Sequence, residues 1–372
     1  MFDTGVFVLG GGPAGLAAAI AARRRGFTVT LADAGQPPID KACGEGLIPD
    51  SLIAAAQLGI EIPVGLGFPF RGIRFDGPPH SVSAPFPHGA GRGVRRTVLH
   101  SLLVEAAANA GVEMLWGVSV AGIEDHTIRF SRGSFSGRSI TARWIVGADG
   151  GQSMVRRCAG LSQVRHETRR FGFSGHYRMA PWSEYMEIHW SDGCQFYITP
   201  VAADEVCVVL MSRDPHLRIA GALPRFPALC ERLGAMQTSS PERGAFAGTR
   251  RLGRTTRGHV ALLGDASGSV DAITGDGLCL AFQQSIALAG AMEAGDLRRY
   301  ETEHARIARR PALMAGFMLT MDRSSWLRRR ALGSLSARPE LFANLLAAHV
   351  GRLNMARFAA TAATLGWEIA TA

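Results

Sequence analysis

Residues 7–33 read FVLGGGPAGLAAAIAARRRGFTVTLAD, and no other stretch restricts the possible folds of this chain as strongly. An apolar, β-prone run meets Gly10, Gly12 and Gly15, continues into an alanine-rich segment, and ends in a second β-prone run closing on Asp33. Strand, tight turn, helix, strand is the opening of a parallel βαβ unit. At G-x-G-x-x-G spacing the first glycine makes the turn, the second lets the backbone approach a pyrophosphate, and the third lets the helix pack on its strand. Pro13 and Ala14 begin the helix, whose free N–H groups and positive end would face a phosphate. Asp33, about twenty residues on, is placed to accept hydrogen bonds from a ribose. The expected ligand is a dinucleotide.

A chain of 372 residues with 47% hydrophobic and 19% charged residues is globular, and long enough for two domains or for one domain carrying an inserted partner. Forty Lys and Arg against 31 Asp and Glu leave a net charge of +9. The excess is mostly arginine in short clusters such as ARRRG, HETRR and WLRRRAL, and no nucleic-acid-binding motif accompanies it. A basic surface, an anionic cofactor and membrane headgroups are the partners this charge allows, the last through the basic C-terminal helices. Cys43, Cys158, Cys194, Cys207, Cys230 and Cys279 form no C-x-x-C pair, so neither a metal site nor a disulfide framework is expected, and a cytoplasmic setting fits. Neither a signal peptide nor a transmembrane helix is expected.

Further along, Leu99, Leu102, Leu103 and Ala106 fall on one face of a helix. From about Arg165 to Arg251 longer alternating strands, among them YMEIHWSDGCQFYITPV and DEVCVVLMSRD, predict an antiparallel sheet with one face packed and the other facing a cavity. Leu341, Leu345, Leu346, Val350, Leu353 and Phe358 continue at roughly helical spacing. The expected fold class is α/β. A discontinuous dinucleotide-binding domain takes residues 1–65, 94–164 and 252–310, a β-rich substrate domain takes 66–93 and 165–251, and a helical segment takes 311–372.

Three separated motifs stand in order along this frame: GGGPAG, GADGGQSMVRR and HVALLGDASGSVDAITGDGL. Together they resemble the flavoprotein hydroxylase superfamily, the group of para-hydroxybenzoate hydroxylase, geranylgeranyl reductases and flavin-dependent halogenases. The resemblance covers residues 1 to about 300. It implies a Rossmann-type domain holding FAD. Asp265 matches the aspartate that bonds the ribityl chain, Gly275, Gly277 and Leu278 the loop against the isoalloxazine, and Asp149 the Asp-Gly pair of the middle motif. Arg96 matches an arginine near the pyrophosphate or flavin, and Val120 a backbone contact of the adenine. KACGEGL places Cys43 and Gly44 where the family's substrate-side loop crosses the flavin, and its Cys-Gly pair is similar to the geranylgeranyl reductase-like branch. Two departures stand out: Ala34 follows Asp33 where a basic residue is usual, and Asp271 and Ala272 occupy a segment where a proline is usual. A negative charge at Asp271 would lower the flavin potential or bind substrate.

No second G-x-G-x-x-G occurs, so a nicotinamide reductant, NAD(P)H, would dock only transiently, unless a separate reductase supplies the electrons. Cys43 and Glu45 are the candidates for acid–base chemistry. Tyr185, Glu187 and His189 alternate along one strand, as do Tyr197 and Thr199 along the next, so each set shares a face that would line a substrate cavity. The leading expectation is a monooxygenase acting on a small aromatic or polyketide-type metabolite. The alternatives are a reductase of isoprenoid double bonds and a non-catalytic flavin-binding redox module.

Overall fold

A computed structural model describes residues 1–371 of the chain; residue 372, the end of the expected helical segment, lies outside the described residues. The opening unit forms as its pattern dictates, with strand Thr4–Leu9, helix Pro13–Arg24 and strand Val29–Asp33. Ala17, Ala18, Ala19, Ala21 and Ala22 are all buried, and their small side chains let this helix sit close against both its sheet and helix Gly277–Glu293. Strands Val260–Leu262, Ser139–Gly147, Thr4–Leu9, Val29–Asp33 and Glu113–Trp116 lie side by side in that order, all parallel. The fold is therefore mixed α/β with a Rossmann-type domain, as its sequence predicts. Ligands of such sheets bind beyond the carboxyl ends of the strands, where the turn after Leu9 lies.

A second sheet has seven strands. Tyr185–Ser191, Cys194–Ala202, Glu205–Ser212 and Phe171–Arg178 form its antiparallel centre. Strand Gly72–Gly77, from far earlier in the chain, adds in parallel beside Tyr185–Ser191. Strands Gly72–Gly77 and His80–Pro85 thus join this sheet, whereas Phe68–Phe70 and Gly91–Gly93 form a separate three-stranded sheet with Gly46–Leu47.

The sheet carries packed apolar side chains on both faces, and a small cavity opens beside Glu187 and His189 on one of them. Met186, Ile188, Trp190, Tyr197, Val209 and Met211 pack on one side with Met318, Leu332, Leu335, Phe342 and Leu345 of the C-terminal helices. Phe196, Ile198, Val208 and Leu210 pack on the other with the short helices Ile219–Ala222 and Pro227–Leu233. Burial on both sides is why EVCVVLMS reads as a near-continuous apolar run rather than a strict alternation.

The C-terminal region comprises helices Leu297–Arg323, Ser325–Ala337, Pro339–His349 and Met355–Thr371. The spacing from Leu341 to Phe358 does not continue through one helix: it breaks after His349, where Gly351 takes φ +74°, in the left-handed region that only glycine enters freely. None of the described helices is long and apolar enough to cross a membrane.

One polar knot joins these layers. Arg170 is almost fully buried; its Nη1 donates to Asp322 Oδ2 at 3.0 Å, its Nη2 donates to Gln195 Oε1 at 2.5 Å, and its Nε lies 3.6 Å from Asp271 Oδ1. Asp271 has no exposed side-chain surface and accepts from Ile273 N–H at 3.1 Å. The expectation that its charge binds substrate is corrected: the charge is neutralised by Arg170 and the side chain caps the loop before Gly275. Burial raises its carboxyl above the usual range.

Candidate active site

The glycine turn divides into positions that cannot carry a side chain and one that borders open space. Gly10 takes φ +113°, and a Cβ there would meet Ala148 O at 2.3 Å; a Cβ on Gly15 would meet Gly10 O at 1.8 Å. At Gly12 the nearest neighbour of a Cβ is Arg96 Nη2, 3.9 Å away, so the backbone is free for close approach. Asp33 braces the turn, with Oδ2 accepting from Gly11 N–H at 2.6 Å and Oδ1 from Gly35 N–H at 2.7 Å. Each oxygen keeps a lone pair for a ribose hydroxyl, a role that does not need the missing basic residue at Ala34. Two residues absent from the sequence reading complete the turn. His100 Nε2 bonds Gly11 O at 2.8 Å, and the Trp116 ring occupies the space into which a Gly11 side chain would project. The sequence does carry a signal for His100, which lies four residues after Arg96 and so on the same helix face.

Two distant loops meet on one strand. Tyr197 Oη donates to Ile273 O at 2.7 Å, and Thr199 Oγ1 donates to Gly44 O at 2.8 Å. Tyr197 and Thr199 are therefore not free to line a substrate cavity; buried, with both hydroxyls engaged, they hold the glycine loops in place. At Gly44, Gly275 and Gly277 a Cβ would find no atom within 4 Å. Leu278, the second residue of helix Gly277–Glu293, packs against the core behind this opening, so the helix begins at it.

The polar groups around this opening lack partners in a way a coenzyme would satisfy. Arg96 is more than nine-tenths buried, yet its Nε has no acceptor. Asp265 is exposed to the cleft, and among the described residues its carboxylate has no hydrogen-bond partner. The cleft withdraws it from bulk water and raises its carboxyl, against the pull of Lys41, Arg96 and Arg250. Asp149 Oδ2 accepts from Met154 N–H at 2.6 Å and Val155 N–H at 3.2 Å, capping the short helix there, while Oδ1 is buried without a partner. Val120 lies in the core beneath strand pair Ser119–Glu124 and Thr127–Arg132, opposite Phe130.

His304 supports the turn that carries Asp265 from below, its Nε2 lying 2.8 Å from Ser267 Oγ, which in turn donates to Gly264 O at 2.7 Å. Burial lowers His304 to about 4, so the fold holds it neutral. Between pH 6.5 and 4 the unfolded chain binds a proton that the folded one refuses, so stability falls on acidification across that window, by roughly 3 kcal/mol at its end. Urea unfolding at pH 7.5 and pH 4.5 is expected to show this loss, and His304→Gln is expected to flatten it.

The loop at Cys43 rests on the second sheet, with Cys43 N–H donating to Ser174 Oγ at 3.4 Å. Glu45 takes φ +57°, uncommon for a residue with a side chain, and turns its carboxylate inward to 3% exposure. Oε1 accepts from Arg96 N–H at 2.7 Å, and Oε2 pairs with His176 Nε2 at 2.8 Å. His176 Nδ1 lies 2.6 Å from Ser240 Oγ, which is only half-buried, so the chain of hydrogen bonds runs from the loop toward solvent. Glu45, His176 and Cys207 hold ligand-type atoms within 4.8 Å of one another. A metal reading fits poorly: the Glu45–His176 bond uses the lone pairs a metal needs, and burial raises the Cys207 thiol well above its ordinary value. Burial likewise raises the Cys43 thiol, which is therefore a neutral group that can donate a proton but is a weak nucleophile. Ser174 and His176 alternate in FGFSGHYR, the one sign that they share a face.

The third predicted set lies elsewhere. Strand register places Glu187 opposite Ile198 and His189 opposite Phe196, on the face turned away from the glycine loops. Glu187 Oε2 there accepts from Trp182 Nε1 at 3.0 Å and pairs with His189 Nε2 at 2.9 Å, beside Arg74, Asp76 and Arg232. Tyr185 Oη accepts from Arg71 Nε at 2.9 Å. Tyr185, Glu187 and His189 do not join the cleft, because one step of register decides which face an alternating set occupies.

A parallel sheet with a glycine turn at its carboxyl edge, an acid at the end of the next strand and a second, distant glycine loop is the arrangement expected of a dinucleotide-binding protein. The profile of the FAD binding domain family matches residues 3–218, more than half of the chain, and the chain belongs to that family. It is 26% identical over 320 residues to a menaquinone reductase of Mycolicibacterium smegmatis, covering 80% of this chain and 78% of the relative. It is 29% identical over 314 residues to a 2-heptyl-3-hydroxy-4(1H)-quinolone synthase of Mycobacteroides abscessus, covering 78% and 82%. In fold it is similar to a flavoprotein/dehydrogenase of Cytophaga hutchinsonii, with a TM-score of 0.82 at 18% identity over 93% of this chain and 92% of the other. The class is thus that of FAD-dependent oxidoreductases and monooxygenases. These relatives carry reductase, synthase and dehydrogenase names, and none of them is named for the geranylgeranyl reductase-like branch that the Cys-Gly pair suggests.

Proposed function

We propose that the protein is an FAD-dependent monooxygenase that hydroxylates an aromatic or polyketide-type metabolite, with NAD(P)H docking transiently as reductant. When bound and reduced, FAD supplies the electrons that activate dioxygen. The Gly12 turn, Arg96 and Asp33 hold the adenosine-pyrophosphate end, while Asp265 and the Gly44, Gly275 and Gly277 loops hold the ring end. The observation that carries the reading is the buried Glu45–His176 pair, anchored beside Gly44 and leading to Ser240. A carboxylate–imidazole pair there can take the proton of an acidic ring hydroxyl and pass it outward, which makes the ring electron-rich. The 29% likeness to the quinolone synthase, whose named product carries a hydroxyl on an aromatic ring, supports the same reading. Glu45→Gln keeps the acceptor for Arg96 N–H and removes the base, and is expected to lower substrate-coupled turnover about 100-fold with FAD content unchanged. Equal turnover with ring-hydroxylated substrates removes the pair from the mechanism.

A second reading, reduction of isoprenoid double bonds, is favoured by the neutral Cys43 thiol and by the similarity to menaquinone reductase over 80% of the chain. Product analysis separates the two. Hydroxylated product formed only with dioxygen supports the first; a saturated double bond formed anaerobically supports the second. Bound flavin that turns over no faster than free FAD would identify a non-catalytic redox module.

A further inference from the structure

The corner where helix Ser325–Ala337 packs on helix Met355–Thr371 carries the features of a surface that meets an anionic lipid layer. Trp326 is 52% exposed and Trp367 71%, unusual for the most amphipathic of aromatic side chains. Arg330 ties the two helices together at this point, with its guanidinium carbon 4.7 Å from the Trp326 ring centre and its Nη1 donating to Ile369 O at 2.9 Å. Both tryptophans therefore belong to one corner. Between Arg357 and Glu368 the second helix carries no charged residue.

The electrostatics select the partner. Residues 325–371 contain six arginines, of which Arg328 is buried against Asp192, against two glutamates, Glu340 and Glu368. Glu368 is neutralised by Arg338 at 2.9 Å. Arg329, Arg330 and Arg338 line an open groove between the two helices, with His80 beside it. A groove lined by arginines, on the two helices that carry the exposed tryptophans, matches a bilayer interface, where phosphate headgroups sit above acyl chains and tryptophan prefers the boundary.

We propose that this corner docks the protein on anionic membranes, with the arginines meeting lipid phosphates and Trp326 and Trp367 entering the headgroup boundary. The inference is independent of the reaction assigned above, since the surface is built from helices that carry none of the cleft's glycine loops.

Sedimentation of the full-length, FAD-loaded protein with vesicles tests it. Pure phosphatidylcholine vesicles are compared with vesicles containing one quarter phosphatidylglycerol, at 50 mM and 500 mM salt. Binding is expected to the anionic vesicles alone and to fall about tenfold at the higher salt, because screening acts on exposed charges. Arg329→Ala/Arg338→Ala is expected to cost about fivefold per arginine. Trp326→Ala/Trp367→Ala is expected to weaken binding by a similar factor and to abolish the blue shift of tryptophan fluorescence on vesicle addition. These side chains are exposed, and unchanged circular dichroism and FAD content verify that the variants fold. Equal binding to both vesicle types, variants that bind like the parent, or both tryptophans shielded from a soluble quencher in a vesicle-free dimer would each overturn the proposal.

Discussion

Gly277→Val is expected to yield a folded protein that does not retain FAD. A Cβ at Gly277 meets no protein atom within 4 Å, and its φ is not in the left-handed region, so the apoprotein has no steric reason to lose stability. Valine at the first turn of a helix is tolerated locally. In the proposed FAD site, its two methyl groups occupy the space beside the ring of the coenzyme. Overpacking a tight site costs up to about 3 kcal/mol, which corresponds to roughly 100-fold in FAD affinity. Fluorescence titration of the apoprotein measures this directly, and its melting temperature is expected to stay within about 1 °C of the parent apoprotein. Gly15→Ala supplies the contrast: its Cβ would collide with Gly10 O at 1.8 Å, and that variant is expected to lose the fold together with the flavin. A Gly277→Val protein as yellow as its parent would show that the late loop does not face the coenzyme.

Arg170→Met is expected to destabilise the protein by about 3–5 kcal/mol, the usual cost of leaving buried charges without their partner. Asp271 and Asp322 are both buried, and without Arg170 only the half-exposed Arg213, whose Nε is 3.4 Å from Asp322 Oδ2, stays close. The loss has a pH signature. With the cation gone, the Asp271 carboxyl, which burial already holds above its ordinary value against the pull of Arg170, is raised further in the folded state. The folded variant then binds protons the unfolded chain does not, so its deficit shrinks as pH falls toward 4 and is largest at neutral pH. Arg170→Met/Asp271→Asn keeps the acceptor for Ile273 N–H and removes one stranded charge, so it is expected to recover part of the stability. Chemical denaturation at pH 5 and pH 7.5 decides the matter; equal deficits at both would mean that packing, not charge, is what Arg170 contributes.

The parts of the site that were legible in the sequence are those whose physics is local. A glycine turn announces itself through spacing, and the acid at the end of the next strand through distance along the chain, because both act within one βαβ unit. Contacts made across the fold leave no such trace. Glu45 and His176 are 131 residues apart, and Arg170 and Asp322 are 152. Alternation correctly groups Tyr185 with Glu187 and His189 and groups Tyr197 with Thr199, but the side on which each group emerges is decided by pairing between strands. The break after His349 has no signature in the apolar pattern, because apolar residues on both sides of Gly351 continue a helical rhythm that the backbone itself abandons.

One strand, Cys194–Ala202, grips both the loop at Gly44 and the loop at Gly275 through side chains two positions apart, about 7 Å along its axis. The two walls of the coenzyme slot are thus hung from a single beam. Whatever displaces that beam carries both walls together and preserves the gap between them, whereas a motion that widens the slot must first break one of two buried hydroxyl bonds.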